Sequence, residues 1–472
     1  MRYSPRYALG AICFLPLGCV GVNIDAASAG VRTQNVLDVD VCVIGGGAAG
    51  TYAAIKLRDM NKSVVLVEKE DRLGGHTKTY IDPASKQPIE LGVAEYDNTS
   101  LVRNWFNRLQ VPLYSFNFTI AGVTSNFVDF QTGKRANHTP TVAPEALERY
   151  VNQLANYPSP NYSLDNGSSP VPADLLLPFG EFISKYGYEG AMPYFGLYGQ
   201  GWGNFVTLPT LYAIKYFTAE ALEAQTRGAL AAKANSKLYE NAEIELGGDV
   251  LLSSTVLRMN RSAHDHADVT VQTPFGPTLI RAKKILSTIP PVLENLNGFD
   301  LNRTELSIFD KFRYHTWYVG LLNNSGIPDN LTLFNYGLSN ETQYNLAALP
   351  AAYDFYATRV PGLHYFTFGL DDYESYFEES EIRTNIEFSL ARLKARNILP
   401  SGPARELNIL NLTAHTPYEV YVSSAEIGNG FYSKLFDLQG RRNTYWSGAA
   451  FVTHNSAAIW NYTDSLVEGI FR

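Results

Sequence analysis

The sequence predicts an α/β fold: a doubly wound, Rossmann-like nucleotide-binding domain with a helical insertion and a mixed β-sheet substrate domain. Three observations predict it. Residues 38–44 are a short β-branched run ending at Gly45, as a buried parallel strand requires. Residues 48–60 then carry Ala49, Ala53, Ile55 and Leu57 along one helical stripe. After the polar turn Asn61-Lys62-Ser63, the run Val64-Val65-Leu66-Val67 reads as a second buried strand that stops at Glu68. Strand, helix and strand together span roughly thirty residues, the size of a right-handed βαβ unit.

The turn between strand and helix is Gly45-Gly46-Gly47-Ala48-Ala49-Gly50, with glycine at the first, third and sixth positions of Gly-x-Gly-x-x-Gly. The first glycine permits the tight turn, the next lets backbone approach a pyrophosphate, and the last lets helix pack on strand. Glu68 stands where a ribose-binding acid is needed, so the unit reads as a dinucleotide site. A glycine-rich structural turn alone would leave that acid unexplained. The second pair, Gly74-Gly75, follows within a few residues of Glu68 and suits a loop lying against an elongated flavin dinucleotide; with the C-terminal stretch Trp446 to Ala450 it makes the expected dinucleotide FAD.

This continuation resembles the flavin amine oxidase superfamily, where the acidic strand end leads into a glycine doublet and a basic residue. His76 stands where that superfamily has Arg. Gly247-Gly248-Asp249-Val250 is similar to its second cofactor stretch, and Tyr445-Trp446-Ser447-Gly448-Ala449-Ala450 to its C-terminal one. The resemblance therefore implies a cofactor set of Gly45, Gly47, Ala48, Ala49, Gly50, Glu68, Lys69, Gly74, Gly75, His76, Val250, Gly448 and Ala449. Over nearly the whole mature chain the sequence resembles the fungal beta-cyclopiazonate dehydrogenase family. That resemblance is carried by residues 41–80, 287–296, Phe312-Arg313-Tyr314-His315, His415-Thr416-Pro417 and 422–460. More distantly, residues 174–216 and Gly440-Arg441-Arg442-Asn443-Thr444 resemble a bacterial FAD-containing double-bond isomerase of polyunsaturated fatty acids.

These resemblances imply three functional readings: a dehydrogenase or oxidase of an apolar, nitrogen-bearing secondary metabolite, an isomerase, or a non-catalytic flavin-binding protein. The protein's share in the first is to position a small-molecule substrate; the electron acceptor is left open. Tyr194, Tyr198, Tyr314, Trp446 and Trp460 are candidate pocket residues, and His315 and His415 candidate proton acceptors, since histidine titrates near neutral pH. Core packing and structural hydrogen bonds are the competing roles for all seven. No metal-ligand spacing links the eight histidines; His264 and His266 flank Asp265 in a polar loop.

Along the chain, the cofactor domain is expected from residues 38–115, 230–300 and 405–472, with a helical insertion at 116–229 and the substrate domain at 301–404. Residues 115–172, rich in Asn, Pro, Ser and Tyr, read as an irregular exposed border. Helices are expected at 208–224, 380–396 and 456–471, and strands at 250–252, 269–271, 284–289 and 444–446.

With 472 residues, 45% of them apolar, the chain can build one large or two medium cores. A net charge of −8 without a Lys/Arg run gives no footprint for a nucleic-acid backbone. Thirty tyrosines suit a flat, apolar ligand site. Residues 1–29 read as a signal peptide: Arg2 and Arg6, an apolar run at 8–22 too short for a membrane span, then Ala27-Ser28-Ala29. Thirteen Asn-x-Ser/Thr sequons, where chance gives roughly four, point the same way, to N-glycans and a secreted or lumenal location. Cys13 and Cys19 would leave with the signal, so Cys42 is expected as a lone buried strand residue outside any disulfide.

Overall fold

The computed structural model describes residues 35–117, 119–157, 171–338, 342–401 and 406–471. The signal-peptide reading and the sequons at Asn161, Asn166 and Asn340 lie outside them. The βαβ unit is β1 (Asn35–Ile44), α1 (Ala48–Asp59) and β2 (Val64–Val67). β1 runs parallel to β2 on one side and to strand Gly276–Ser287 on the other, and all four residues of β2 are buried. The sheet continues outward from β2 to Val250–Leu251. On the other side it runs from Gly276–Ser287 to Ala267–Thr273 and Thr255–Asn260, while Thr444–Trp446 adds in parallel to Gly276–Ser287. Helix Ser456–Phe471 packs on α1 from the same face, held by Trp460, whose Nε1 donates to Ala48 O at 3.1 Å.

The second sheet has six strands in the order Asn408–Tyr421, Arg313–Asn323, Leu363–Gly369, Ala351–Ala357, Leu331–Asn335 and Thr124–Val128. Only the last pair is parallel. One face packs on helix Glu379–Ala395 through Phe355, Phe366, Phe368, Ile382 and Ile386. Its other face meets the helical insertion and the cofactor domain.

Several expectations need correction. Residues 115–172 are not simply irregular: Thr124–Val128 is an edge strand, half polar for that reason, and Pro144–Leu154 is a helix with Pro at its start. Tyr150 on that helix is fully buried and donates to Phe217 O at 3.1 Å. Residues 405–472 do not all belong to the cofactor domain, because Asn408–Tyr421 pairs with Arg313–Asn323 in the second sheet. The expected helix at 208–224 is two helices, Thr210–Tyr216 and Ala219–Thr226; Thr218 breaks it by turning its hydroxyl to cap Ala221 N at 3.1 Å. Strand Gly276–Ser287 starts well before residue 284, as a hairpin arm pairing Ala267–Thr273.

A buried ion network fastens the far end of the cofactor sheet. Arg261, with no exposed side-chain surface, donates to Asp300 at 2.7 Å and in fork geometry to Glu305 at 2.8 and 3.1 Å. Arg442 reaches the same two carboxylates at 2.5 and 3.0 Å. The network joins the end of Thr255–Asn260, helix Arg303–Phe309 and the turn into Thr444–Trp446. Removing one member of such a set strands a buried charge, so Arg261→Ala is expected to cost about 3 kcal/mol in denaturant unfolding. A loss below about 1 kcal/mol would mean that Arg442 alone neutralises the pair.

Candidate cofactor and substrate site

β1 delivers Gly45 with φ +101°, and a side chain there would meet Thr288 and Ile289 at 2.8 Å. A Cβ at Gly50 would overlap the Gly45 carbonyl oxygen, so α1 can lie this close to the turn only without one. No side chain caps the first turn of α1, which starts after Gly47. Its orphan N–H groups and dipole therefore form an anion cradle at Gly47, Ala48 and Ala49. Gly74 N donates to Gly46 O at 2.8 Å, and a Cβ on Gly75 would stand 3.1 Å from Gly47 Cα, so the two glycine segments touch. Arg72 clasps the second segment by donating to Thr77 O at 2.8 Å and Gly75 O at 3.0 Å.

Glu68 is buried at the end of β2, accepting from Gly46 N at 2.5 Å and Glu70 N at 2.8 Å. Those bonds fix the carboxylate and leave lone pairs for sugar hydroxyls. Val250 pairs with Leu66 beside it, and Glu68 N donates to Leu251 O at 2.9 Å. Gly448 (φ +105°) passes Thr288 so closely that a Cβ would sit 3.0 Å from its carbonyl oxygen, and Ala449 packs against the small cluster of Ala49, Val452 and Ile459. Residues from four distant stretches thus form one cradle at the carboxyl ends of the strands; of the expected set, Lys69 is exposed beyond it and His76 points elsewhere. The free helix start, the fixed acid and the two touching glycine segments fit an extended dinucleotide.

His76 turns from this cradle toward the second sheet, where its ring meets His415 at 4.9 Å and Tyr418 at 5.8 Å. Trp317 packs on both of those residues. Burial, together with the neighbouring basic groups His415 and His454, holds His76 well below the usual histidine range, so it is neutral. The sheet face between the domains carries half-buried Trp317, Tyr353, Tyr356, Tyr365 and Tyr418. From the insertion side, Tyr194, Tyr198 and Tyr216 line a cavity of about 60 Å³ with Glu95, Asp97 and Asn455.

The carboxyls around this cleft bond to amides and hydroxyls. Glu95 accepts from Gln225 Nε2 at 3.0 Å, Asp97 from Asn455 Nδ2 at 2.9 Å, and Asp354 from Gln200 Nε2 at 2.8 Å and Thr367 Oγ1 at 2.9 Å. Burial pushes Glu95 up, Asp97 up to about 6 and Asp354 up to about 7. Asn455 also caps helix Ser456–Phe471 by accepting from Ala458 N at 3.1 Å. Beside it, His454 contacts Glu419 through Nδ1 and accepts from Trp202 Nε1 at 3.0 Å, which joins insertion, second sheet and cofactor loop at one ring.

The structure brings Tyr194 and Tyr198 into the cleft and leaves the other expected pocket residues outside. Trp460 is a core residue among Tyr52, Tyr96, Trp105 and Phe106, and Trp446 lies buried between Phe299 and Phe309. Tyr314 sits near Glu294 and Glu374, on the insertion's hydrophobic cluster. Of the two histidines, His415 lies against His76 and Trp317: its Nε2 donates to Leu91 O at 2.8 Å, and burial pushes it down to about 4. His315 is stacked on Tyr421 beneath Gly203, buried and likewise pushed down to about 4, a packing position without access for a substrate proton. Cys42 is buried in β1 with its thiol pushed up to about 12, so it is inert. His266 bonds Asp265 at 2.8 Å at the surface.

Sequence reading missed Trp202, Tyr216, Trp317, Tyr418 and His454. Asn455-Ser456 ahead of an apolar helical run is a cap signature that marks the entry to the last helix; nothing comparable flags the sheet tyrosines.

Comparison with known proteins identifies the cofactor. The family described as NAD(P)-binding Rossmann-like domain matches residues 43–109. The FAD-dependent oxidoreductase oblC of Cochliobolus heterostrophus is 37% identical over 451 residues, which cover 92% of this chain and 91% of that one. The beta-cyclopiazonate dehydrogenase of Aspergillus flavus is 33% identical over 462 residues, 95% and 97% of the two chains. The chain belongs to this family of fungal FAD-dependent oxidoreductases. Among solved structures, the CLA-producing fatty acid isomerase from P. acnes shares the fold at a TM-score of 0.71 and 19% identity, covering 92% of this chain and 99% of the other. Putrescine oxidase bound to putrescine shares it at 0.63 and 16%, with the same coverage. The protein is therefore an FAD-dependent oxidoreductase with the flavin amine oxidase fold, and the cradle residues are those that would hold the dinucleotide.

Two outcomes follow from the geometry. Gly50→Ala is expected to be purified without flavin, because its Cβ must push α1 off the turn; retention of a full complement by absorbance would refute the close approach. Asp354 keeps its proton up to about 7 in the folded chain against an ordinary 3.8, so ionising it costs folded-state stability as pH rises between those values. Asp354→Asn should accordingly gain melting temperature over the wild type as pH goes from about 4 to about 7, with a level difference above. A difference that shrinks over that window would contradict the buried, proton-holding carboxyl.

Proposed function

We propose that the chain oxidises an apolar, nitrogen-bearing secondary metabolite, and that it works in the secretory-pathway lumen or outside the cell. The supporting observation is the tyrosine-walled cleft, edged by Glu95 and Asp97, in a relative of beta-cyclopiazonate dehydrogenase. Bound FAD supplies the hydride acceptor. The half-buried aromatic walls bind a flat apolar body and exclude water from it. Glu95 and Asp97, already bonded to amides, offer acceptor oxygens to a basic nitrogen. His415 donates from Nε2 to the Leu91 carbonyl, which leaves Nδ1 as the acceptor on its neutral ring for the proton that departs with the hydride. The lumenal location is supported by the signal-like residues 1–29 and the thirteen sequons. Among the described residues no helix is long and apolar enough to cross a membrane.

Anaerobic mixing of flavin-loaded protein with a panel of indole- and amine-bearing metabolites tests the reading. A true substrate is expected to bleach the flavin and to yield product lighter by two hydrogens. Product of unchanged mass, or a flavin that no member of the panel reduces, would overturn it. Tyr198→Phe should raise KM roughly tenfold with kcat nearly kept, because the hydroxyl that bonds and orients Glu95 at the cleft edge is lost.

A further inference from the structure

We infer that the folded chain carries N-linked oligosaccharide on its outward-facing sequon asparagines, including Asn411, and excludes it from Asn98. The inference rests on the secretory reading above. Ten of the sequon asparagines lie among the described residues. In the transfer, Nδ2 gives up one hydrogen as a proton and bonds to the sugar C1. The C1–O bond to the pyrophosphate of a polyprenyl-linked oligosaccharide donor breaks, and no electrons change hands. The native fold must then keep that nitrogen in solvent with one N–H fewer.

Asn98 cannot meet this condition. Its Nδ2 donates to both Arg227 O and Gly228 O at 3.0 Å, and its Oδ1 accepts from Arg103 Nε and Nη2 at 3.0 and 2.7 Å. A sugar on Nδ2 would displace the 227–228 turn, two residues after Gln225, which lines the cavity with Asp97. Asn98 is thus a structural tie for the 227–228 turn that happens to spell a sequon.

Asn61, Asn117, Asn137, Asn260, Asn302, Asn330, Asn411 and Asn461 are exposed. At Asn260 the local turn uses only Oδ1, which accepts from Ser262 N at 3.2 Å and Ser262 Oγ at 2.6 Å. Asn411 has a further role. It stands at φ +50° in Asn408–Tyr421, the strand at one edge of the six-stranded sheet, where the ladder to Arg313–Asn323 shifts register. An edge strand presents unpaired N–H and C=O groups to other chains. A hydrated oligosaccharide at Asn411 covers that edge, a bulky counterpart of the charges and prolines that blunt other edges.

The test expresses the full chain with its own N-terminal segment in a fungal secretory host. Enzymatic glycan removal in heavy-oxygen water then tags each formerly occupied asparagine for peptide mass spectrometry. Tags at exposed positions including Asn411, and none at Asn98 in flavin-loaded protein, are the expected result. A tag at Asn98 in that protein overturns the tie; untagged protein recovered from the lumen or medium overturns the glycan assignment alone; untagged protein confined to the cytosol overturns the secretory reading with it. Asn411→Gln should keep its flavin content and raise the aggregated fraction at least about twofold, as an uncovered edge predicts. An unchanged fraction refutes the edge role.

Discussion

Everything in the cofactor half depends on how closely backbone approaches backbone at Gly45–Gly50. Gly45 and Gly50 both lie against the Thr288 hydroxyl, Gly50 also against the Gly45 carbonyl oxygen, and Gly448 passes the Thr288 carbonyl oxygen, so side chains are crowded out around one residue. That crowding lets α1 begin at the strand end, aims its free N–H groups at a phosphate, and draws the C-terminal loop over the cradle. Glu68 completes the arrangement by holding Gly46 N, so the turn and the acid at the strand end are set by one hydrogen bond. Trp460 ties the last helix to Ala48 from behind. The cradle is rigid because its parts brace one another.

The substrate half is built on a different principle. It has few covalent neighbours and many faces: one sheet side from the second domain, three tyrosines from the insertion, and the 95–97 and 454–455 segments from the cofactor domain. Its carboxyls are satisfied by amides and hydroxyls, so burial raises their proton affinity and leaves them partly uncharged near neutral pH. The Trp202–His454–Glu419 contact joins the three bodies at one ring, so the shape of the cleft follows from domain packing more than from any single element.

This contrast explains what could be read from sequence. The cradle was legible because its glycines and acid are local, sit at fixed offsets from a strand and a helix, and have no substitutes. Helix Ser456–Phe471 was legible from its period and its Asn cap. The cleft was not, since Tyr198 and Trp460 look alike as isolated aromatics and only tertiary packing sends one to the cavity and the other to the core. His315 misled for the same reason: a histidine on a strand carries no mark of which neighbour will cover it, here Gly203. The domain boundary near residue 405 was misplaced because an edge strand and a cofactor-domain strand share the same alternation.

Denaturing the purified protein and identifying the released cofactor by mass spectrometry is the most direct measurement: the account predicts FAD in an amount equimolar with the chain. Release of NAD or NADP in its place, or of no dinucleotide from folded protein, would contradict it.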